Sequence, residues 1–472
     1  LHKGRFIEDN TVLKRLAPAA RKYEAYLVGG YLRDVFLKRE SPDFDFVVFG
    51  KQSDFINSVA SGLGVSFFRF GNNKTVWRSY GAPFTIDISE PKDSDIKSDL
   101  LKRDITINAM AYDFRTGSII DPVGARTDLK NAIIRIIDKN AIEDDPLRML
   151  RAFRIASELK FKISSETLEL ISRHKRLIKK VSSERIGEEF LKLMNQESYR
   201  YIVLMNKTGM LDQLFGKFRY ANECTQNRFH LYDVKDHSLL TVRKIDEMLK
   251  NRAIFSSNND ELMSFITKNR VILKLAALFH DIGKPFVKTD YQGFIHFYRH
   301  EAKGARIFEN EIAPRLSLAK NQTIEIKKII LYHLAPTDYF RLFREQNLQK
   351  KHKIRFFVKF DKLGLLILFL SIADTLAKGQ IPRVLFVDML QMFLEFADFY
   401  YADYLPKISI PPLITGDDII EQLNLKPSPY FRVILDKIRK KQLSGFLKDK
   451  NDAIKYASEI ITKDTSIQKE NG

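Results

Sequence analysis

Two aspartates flank a phenylalanine in Asp43-Phe44-Asp45, shortly after the run Leu27-Val28-Gly29-Gly30-Tyr31-Leu32-Arg33-Asp34. In an extended strand alternate side chains share a face, so Asp43 and Asp45 point together while Phe44 and Phe46 turn to the core. Two adjacent carboxylates repel unless a cation lies between them. A hard divalent ion such as Mg²⁺ fills that role, because it takes oxygen ligands and works with substrate phosphates. Gly29-Gly30 closes an apolar stretch and opens a helical pattern, a place for backbone N–H groups to meet a triphosphate. Either motif alone reads as turn chemistry. The order strand, Gly-Gly, helix, acidic strand predicts nucleotidyl transfer.

A second set of residues lies far downstream. Five of the nine histidines are His230, His237, His280, His296 and His300. The apolar run at 275–279 delivers His280-Asp281, and burying that pair without a partner would be costly. Asp374 follows another apolar run at 365–373. Imidazole and carboxylate together accept Mn²⁺, Ni²⁺, Fe²⁺ or Mg²⁺, so the residues leave the metal open.

These residues need elements to hold them. The stretch from 24 to about 138 alternates strand-like runs with turns, at 25–28, 44–49, 65–70, 85–89, 105–112 and 133–137. From Pro146 the period becomes helical, with Leu147, Leu150, Arg151, Arg154, Ile155 and Leu159 at spacings of three and four, and helices dominate to the end. Residues 256–261 read as a polar loop, and Pro411-Pro412 breaks the helical pattern before a small tail. The 472 residues are enough for several domains, and 44% hydrophobic content excludes a largely disordered chain. An excess of 78 Lys+Arg over 59 Asp+Glu favours a polyanionic partner, with nucleic acid first. The basic runs 173–180, 350–355 and 437–441 read first as solvated helix faces, and jointly as a surface of tRNA size. No apolar run approaches the ~20 residues of a membrane span, so no membrane partner is expected. The single cysteine, Cys224, suits a reducing, cytoplasmic compartment, and no signal peptide is recognised at the start as given.

Gly29-Gly30, Arg33-Asp34 and Asp43/Asp45 resemble the first motif of the class II nucleotidyltransferases, the bacterial-type tRNA nucleotidyltransferases and poly(A) polymerases. The resemblance implies an α+β protein: a small polymerase-beta-like α/β head (1–140), then an extended all-helical neck (141–220), an HD domain (221–400) and a helical tail (401–472). It implies Mg²⁺ on the catalytic Asp43 and Asp45; the alternation of Ile86, Asp87 and Ile88 makes Asp87 a candidate third carboxylate.

Lys102-Arg103-Asp104, with Asn108 four residues on, is similar to the second motif. There Arg103 would meet triphosphate oxygens, while Asp104 and Asn108 would hold sugar hydroxyls. Asp121-Pro122-Val123-Gly124 resembles the third motif and reads as a turn joining head to neck. Asp144-Asp145-Pro146-Leu147-Arg148 is similar to the base-selecting motif. A carboxylate that accepts and a guanidinium that donates can together bond a base edge without a template. The same acids also fit the capping of a helix start. Arg151 and Arg154 continue the helix face toward phosphates, and Ser183–Glu189 is assigned to neck structure.

The set His237, His280-Asp281 and Asp374 resembles the HD metal-dependent phosphohydrolase domain. Some tRNA-type relatives with these ligands hydrolyse phosphate esters, including 2′,3′-cyclic phosphates. The expected partners are tRNA with CTP and/or ATP. Between Asp87 and Arg103 the chain carries only residues 88–102, shorter than the flexible segment of enzymes that add all of CCA. CC addition, with a separate A-adding enzyme, and full CCA addition therefore stand level. Poly(A) synthesis, or an HD phosphohydrolase with a vestigial head, are the alternatives.

Overall fold

In the computed structural model, residues 7, 9–70, 76–80, 82–91, 93–226, 231–251, 255, 260–292 and 294–470 are described. His230 and residues 256–259 of the expected loop lie outside them. The chain forms two compact units, Leu1–Arg219 with Pro314–Leu318, and Tyr220–Ala313 with Ala319–Gly472.

The first unit opens with α1 (Thr11–Lys22), started by the Asn10 side chain accepting from Leu13 N–H. A seven-stranded sheet follows: β1 (Ala25–Val28), β2 (Asp43–Val48), β3 (Ser66–Phe70), β4 (Val76–Tyr80), β5 (Thr85–Ser89), β6 (Ala111–Asp113) and β7 (Ser118–Ile120). Their order is β3-β4-β5-β2-β1-β6-β7. Within this sheet β2 and β5 pair in parallel, and that register sets Asp45 opposite Asp87. On the antiparallel side Val28 faces Asp45, which brings the glycines after β1 to the acidic strand.

Alternation holds along both central strands: Phe44, Phe46, Ile86 and Ile88 are buried while the aspartates between them reach the surface. α2 (Gly30–Phe36) begins immediately at the glycine pair.

The expected strand at 105–112 is corrected. A 3₁₀ turn (Thr106–Asn108) occupies its first half, and only Ala111–Asp113 is strand. The apolar run misled because Thr106 is also buried there, its hydroxyl donating to Asp128 at 2.6 Å. The strand expected at 133–137 shrinks to Ile133–Ile134. Asp121 accepts from the N–H groups of Ala125 and Arg126, so the third motif caps a helix.

Between β5 and β6, α3 (Ile96–Leu101) is capped by Asp95. α4 (Leu147–Leu159) and α5 (Ser183–Met194) pack together. Their unit is completed by Pro314–Leu318: Arg315 donates to the carbonyls of Ile178 and Val181, and Leu316 O occupies the space a Cβ on Gly187 would need.

The second unit is helical apart from a two-stranded hairpin. Its core is built from α6 (Val234–Lys250), α7 (Arg270–Phe279), α8 (His300–Ile307), α9 (Lys320–Tyr332), α10 (Lys350–Phe360) and α11 (Leu363–Ala377). Helix α11 is buried along most of its length, as its apolar run requires. A tail cluster around Ile414, Ile419, Ile434 and Ala453 is held by helices including α12 (Tyr430–Leu443). No described helix is long and apolar enough to cross a membrane.

Candidate functional site

The head site collects where β1 ends and the parallel pair β2 and β5 begins. Asp43 is exposed and Asp45 half-buried. Gly29 holds φ at +76°, and a Cβ there would stand 3.1 Å from Asp45 Oδ2 and 3.6 Å from Arg103 Nη1. Glycine is required at that close approach. Burial, then Asp87 and Asp43, push the Asp45 carboxyl up to about 6 against the opposing pull of Arg103 and Arg78. Burial and the neighbouring acids both disfavour charge on Asp45, and a divalent metal on Asp43 and Asp45 would offset both. Asp87 stands beside the pair, but Arg78 takes both its oxygens, at 2.8 and 2.7 Å.

A chain of polar contacts runs from the glycine turn to α4. Arg33 forks onto Asp34 at 2.9 and 2.8 Å and donates to Asn108 Oδ1 at 3.1 Å. Asn108 reaches Asp104, and Asp104 Oδ2 pairs with Arg151 at 2.9 Å. Burial works against charge on Asp104, but Arg151 and the Ile105 N–H outweigh it and hold the carboxyl below its ordinary value. Arg103 pairs with Asp99 at 3.2 Å.

Three expected residues are placed differently. Arg148 is buried and donates to the carbonyls of Lys102, Arg103 and Ala141, at 2.9, 3.2 and 3.1 Å. Its guanidinium thus braces the second motif. Asp145 instead meets Arg185 at 2.7 Å, both side chains partly exposed. Arg154 is held by Glu189 and Glu158 at 2.8 and 2.7 Å, within the packing of α4 and α5.

Sequence reasoning missed Arg78 and Arg185 as members of this group. Arg78 lies on a strand outside the expected set. Arg185 carried a signal, standing two residues into the run Ser183–Glu189 that the sequence assigns to neck structure.

In the second unit, His237, His280, Asp281 and Asp374 come together from α6, the end of α7 and α11, all buried. His237 Nε2 lies 2.8 Å from Asp374 Oδ1, and His280 Nε2 lies 3.2 Å from Asp281 Oδ2. Two further buried histidines, His300 and His333, complete the ring. The sequence singles out His300 only as one of a cluster, and His333 not at all. Its signal is faint, a lone histidine after the apolar end of α9.

Burial opposes charge on His280, yet Asp281 and Asp374 outweigh it and raise the imidazole to about 10. Burial and His280 drive His333 down to about 3. A proton on His280 thus offsets the two acids, and this donor set fits a divalent metal in the same place.

Three family profiles match: "Poly A polymerase head domain" over residues 85–135, "Probable RNA and SrmB- binding site of polymerase A" over 160–221, and "HD domain" over 234–366. The chain is similar to a CC-adding tRNA nucleotidyltransferase of Synechocystis, 26% identical over 93% of this chain and 94% of that one. A multifunctional CCA protein of Haemophilus influenzae is 30% identical over 71% of this chain and 79% of its own. Among solved structures, a CCA-adding enzyme with CTP aligns over 96% of both chains with TM-score 0.62 at 20% identity, which is likeness of fold.

Proposed function

This chain belongs to the family of tRNA nucleotidyltransferases and poly(A) polymerases, and from that premise we propose that it adds the two cytidines of the CCA end to tRNA and stops there. It is a template-independent nucleotidyltransferase that uses divalent metal. The observation that carries CC addition is the link from β5 to the second motif. Ser89 ends β5 and Ile96 begins α3, with Ile96 and Leu100 buried in the head core. Lys102 pairs with Asp93 at 2.6 Å across the same segment. Residues 90–95 are all that remain between the two elements, too few for a lever that would re-form the pocket for ATP. Two of the relatives also carry CC-adding names.

Metal on Asp43 and Asp45, Mg²⁺ in this reading, would lower the pKa of the primer 3′-hydroxyl and neutralise the triphosphate. The chain's own residues do the positioning. N–H groups at Gly29 and Gly30, with Arg103 and Arg151, face the phosphates, while Asn108, held by Arg33 and Asp104, faces the sugar. Asp145 and Arg185 offer an acceptor and a donor side by side for a base edge. Arg148 would give up three carbonyl bonds to reach that base; Arg185 would give up one ion pair.

A groove of about 850 Å³ between α10 and α12 suits the RNA backbone. Lys351, Arg355 and Lys359 line one wall and Lys437, Lys440 and Lys441 the other, so two of the basic runs share one surface. Poly(A) synthesis is set aside because the HD residues are all retained, and a vestigial head because its carboxylates, glycines and cations are in place.

The test is tRNA lacking its 3′ CCA, incubated with CTP, ATP or both and sized at nucleotide resolution. Two added nucleotides in the CTP and mixed reactions are expected; a third nucleotide in the mixture would assign full CCA addition. A separate A-adding enzyme supplied afterwards should complete the end.

A further inference from the structure

We infer that Phe68 and Tyr80, on the exposed face of the antiparallel β3–β4 pair, seat the terminal base of the RNA primer, with Arg78 beside that nucleotide's phosphate. The inference rests on the reading of the head as a tRNA nucleotidyltransferase. In-line displacement at the α-phosphate sets the attacking hydroxyl and the leaving pyrophosphate on opposite sides. The glycine turn after β1, with Arg103 close to Gly29, places the triphosphate on one side of Asp45. The primer then arrives from the other side, over β5 and from the direction of β4.

The strand register lays out what the primer meets there. Asp45 stands opposite Asp87, Asp87 opposite Arg78, and Arg78 opposite Phe68. Residues paired across a ladder share a face, and Tyr80, two positions beyond Arg78, shares it too. At a strand spacing of about 4.8 Å this row runs ~14 Å from Asp45 to Phe68, a span that a ribose with its base and phosphate covers. Phe68 is 43% and Tyr80 56% exposed, their rings 5.8 Å apart with 58° between the planes. The opposite face of the same two strands is closed: Ser79 is buried, and Arg69 lies over the Trp77 ring at 5.1 Å. The two exposed rings therefore lie outside the core of the head, in line with its carboxylates.

Unpaired bases stack on aromatic side chains with little regard to sequence, because every base has a π face. A primer site needs that tolerance when its terminal nucleotide belongs first to the tRNA and then is a cytidine just added. Arg78 stands between the acids and the rings, its Nε and Nη2 donating to Asp87 at 2.8 and 2.7 Å. It keeps positive charge where the primer phosphate would otherwise face Asp43, Asp45 and Asp87 alone. A cross-strand ring pair also stabilises a hairpin by itself. RNA contact, and not stability, therefore separates the two roles.

The full chain is mixed with tRNA lacking CCA whose last nucleotide is a thiouridine, irradiated without CTP, and the crosslinked peptide identified by mass spectrometry. A crosslink at Phe68 or Tyr80 is expected. With unmodified tRNA, Phe68→Val combined with Tyr80→Val should raise KM for tRNA about tenfold, while KM for CTP stays within about twofold and the melting curve is unchanged. Crosslinks confined to other peptides, or none, overturn the proposal. So does a double variant whose KM for tRNA is unaltered. Where that variant melts early, the crosslink in the unaltered chain decides alone. Filter retention of the tRNA keeps the two readings apart. A tRNA that is retained but crosslinks elsewhere removes the aromatic seat and leaves the proposed function standing, whereas a tRNA that is not retained removes both.

Discussion

The head and the HD unit both gather acidic residues, and they treat charge in opposite ways. In the head, Asp43 is exposed, Asp45 half-exposed, and arginines 78, 103 and 151 surround them. In the HD unit the acids are buried and ringed by imidazoles, three of which set Nδ1 against a backbone carbonyl. An open carboxylate pair among cations suits a metal that arrives and leaves with a triphosphate. A buried ring of nitrogen and oxygen donors suits an ion that stays.

Chelation probes this contrast most strongly. Brief EDTA treatment followed by desalting should abolish nucleotide addition until Mg²⁺ returns, while metal analysis still finds the HD metal in place. If both metals leave equally fast, burial does not separate the sites. Next in size, Asp43→Ala or Asp45→Ala should cut CTP incorporation by about 10³-fold, roughly 4 kcal/mol of transition-state stabilisation, with tRNA affinity within about twofold. Turnover near normal in either variant would remove the metal assignment.

A subtler effect concerns stability. Asp45 is raised to about 6 in the fold from an ordinary 3.8, so between those values the native state binds the extra proton. Stability of the metal-free chain is therefore lost as pH rises from about 4 to 6, and the penalty is full above 6. Asp45→Asn should recover on the order of 1–3 kcal/mol at pH 7.5 and almost nothing at pH 4, read by denaturant melts in EDTA. Equal gains at both pH values would refute it. Smallest in its effect on activity is Arg154→Ala. Leaving Glu189 without this partner should cost about 1–2 kcal/mol of stability, with KM for CTP changed less than twofold. A large rise in KM would return Arg154 to the nucleotide site.

Alternation made the central strands legible: Phe44 and Phe46 in, Asp43 and Asp45 out, needs only the period of a strand. The Gly29 turn was legible because so few residues tolerate its φ beside a carboxylate. Partnerships were not. Arg148 and Asp145 sit one helical turn apart in sequence, yet one turns to backbone carbonyls and the other to Arg185, a choice made by packing between α4 and α5. Thr106 looked like part of a strand because a local pattern cannot report a hydroxyl bonded to Asp128. His333 was missed for the same reason: its neighbours in sequence are apolar, and its ligand company comes from four other segments.

The segment Pro314–Leu318 has a consequence for how such a gene can be cut or recombined. Residues from deep inside the HD stretch belong to the first unit, fastened by Arg315 and pressed against Gly187. A stop codon after residue 219 would release a nucleotidyltransferase with an open socket at Gly187 and the carbonyls of Ile178 and Val181 stripped of their donor. A transplanted HD stretch would carry a peg with no hole. Splicing either activity onto another protein thus requires two junctions moved together, which binds the inheritance of one site to the other.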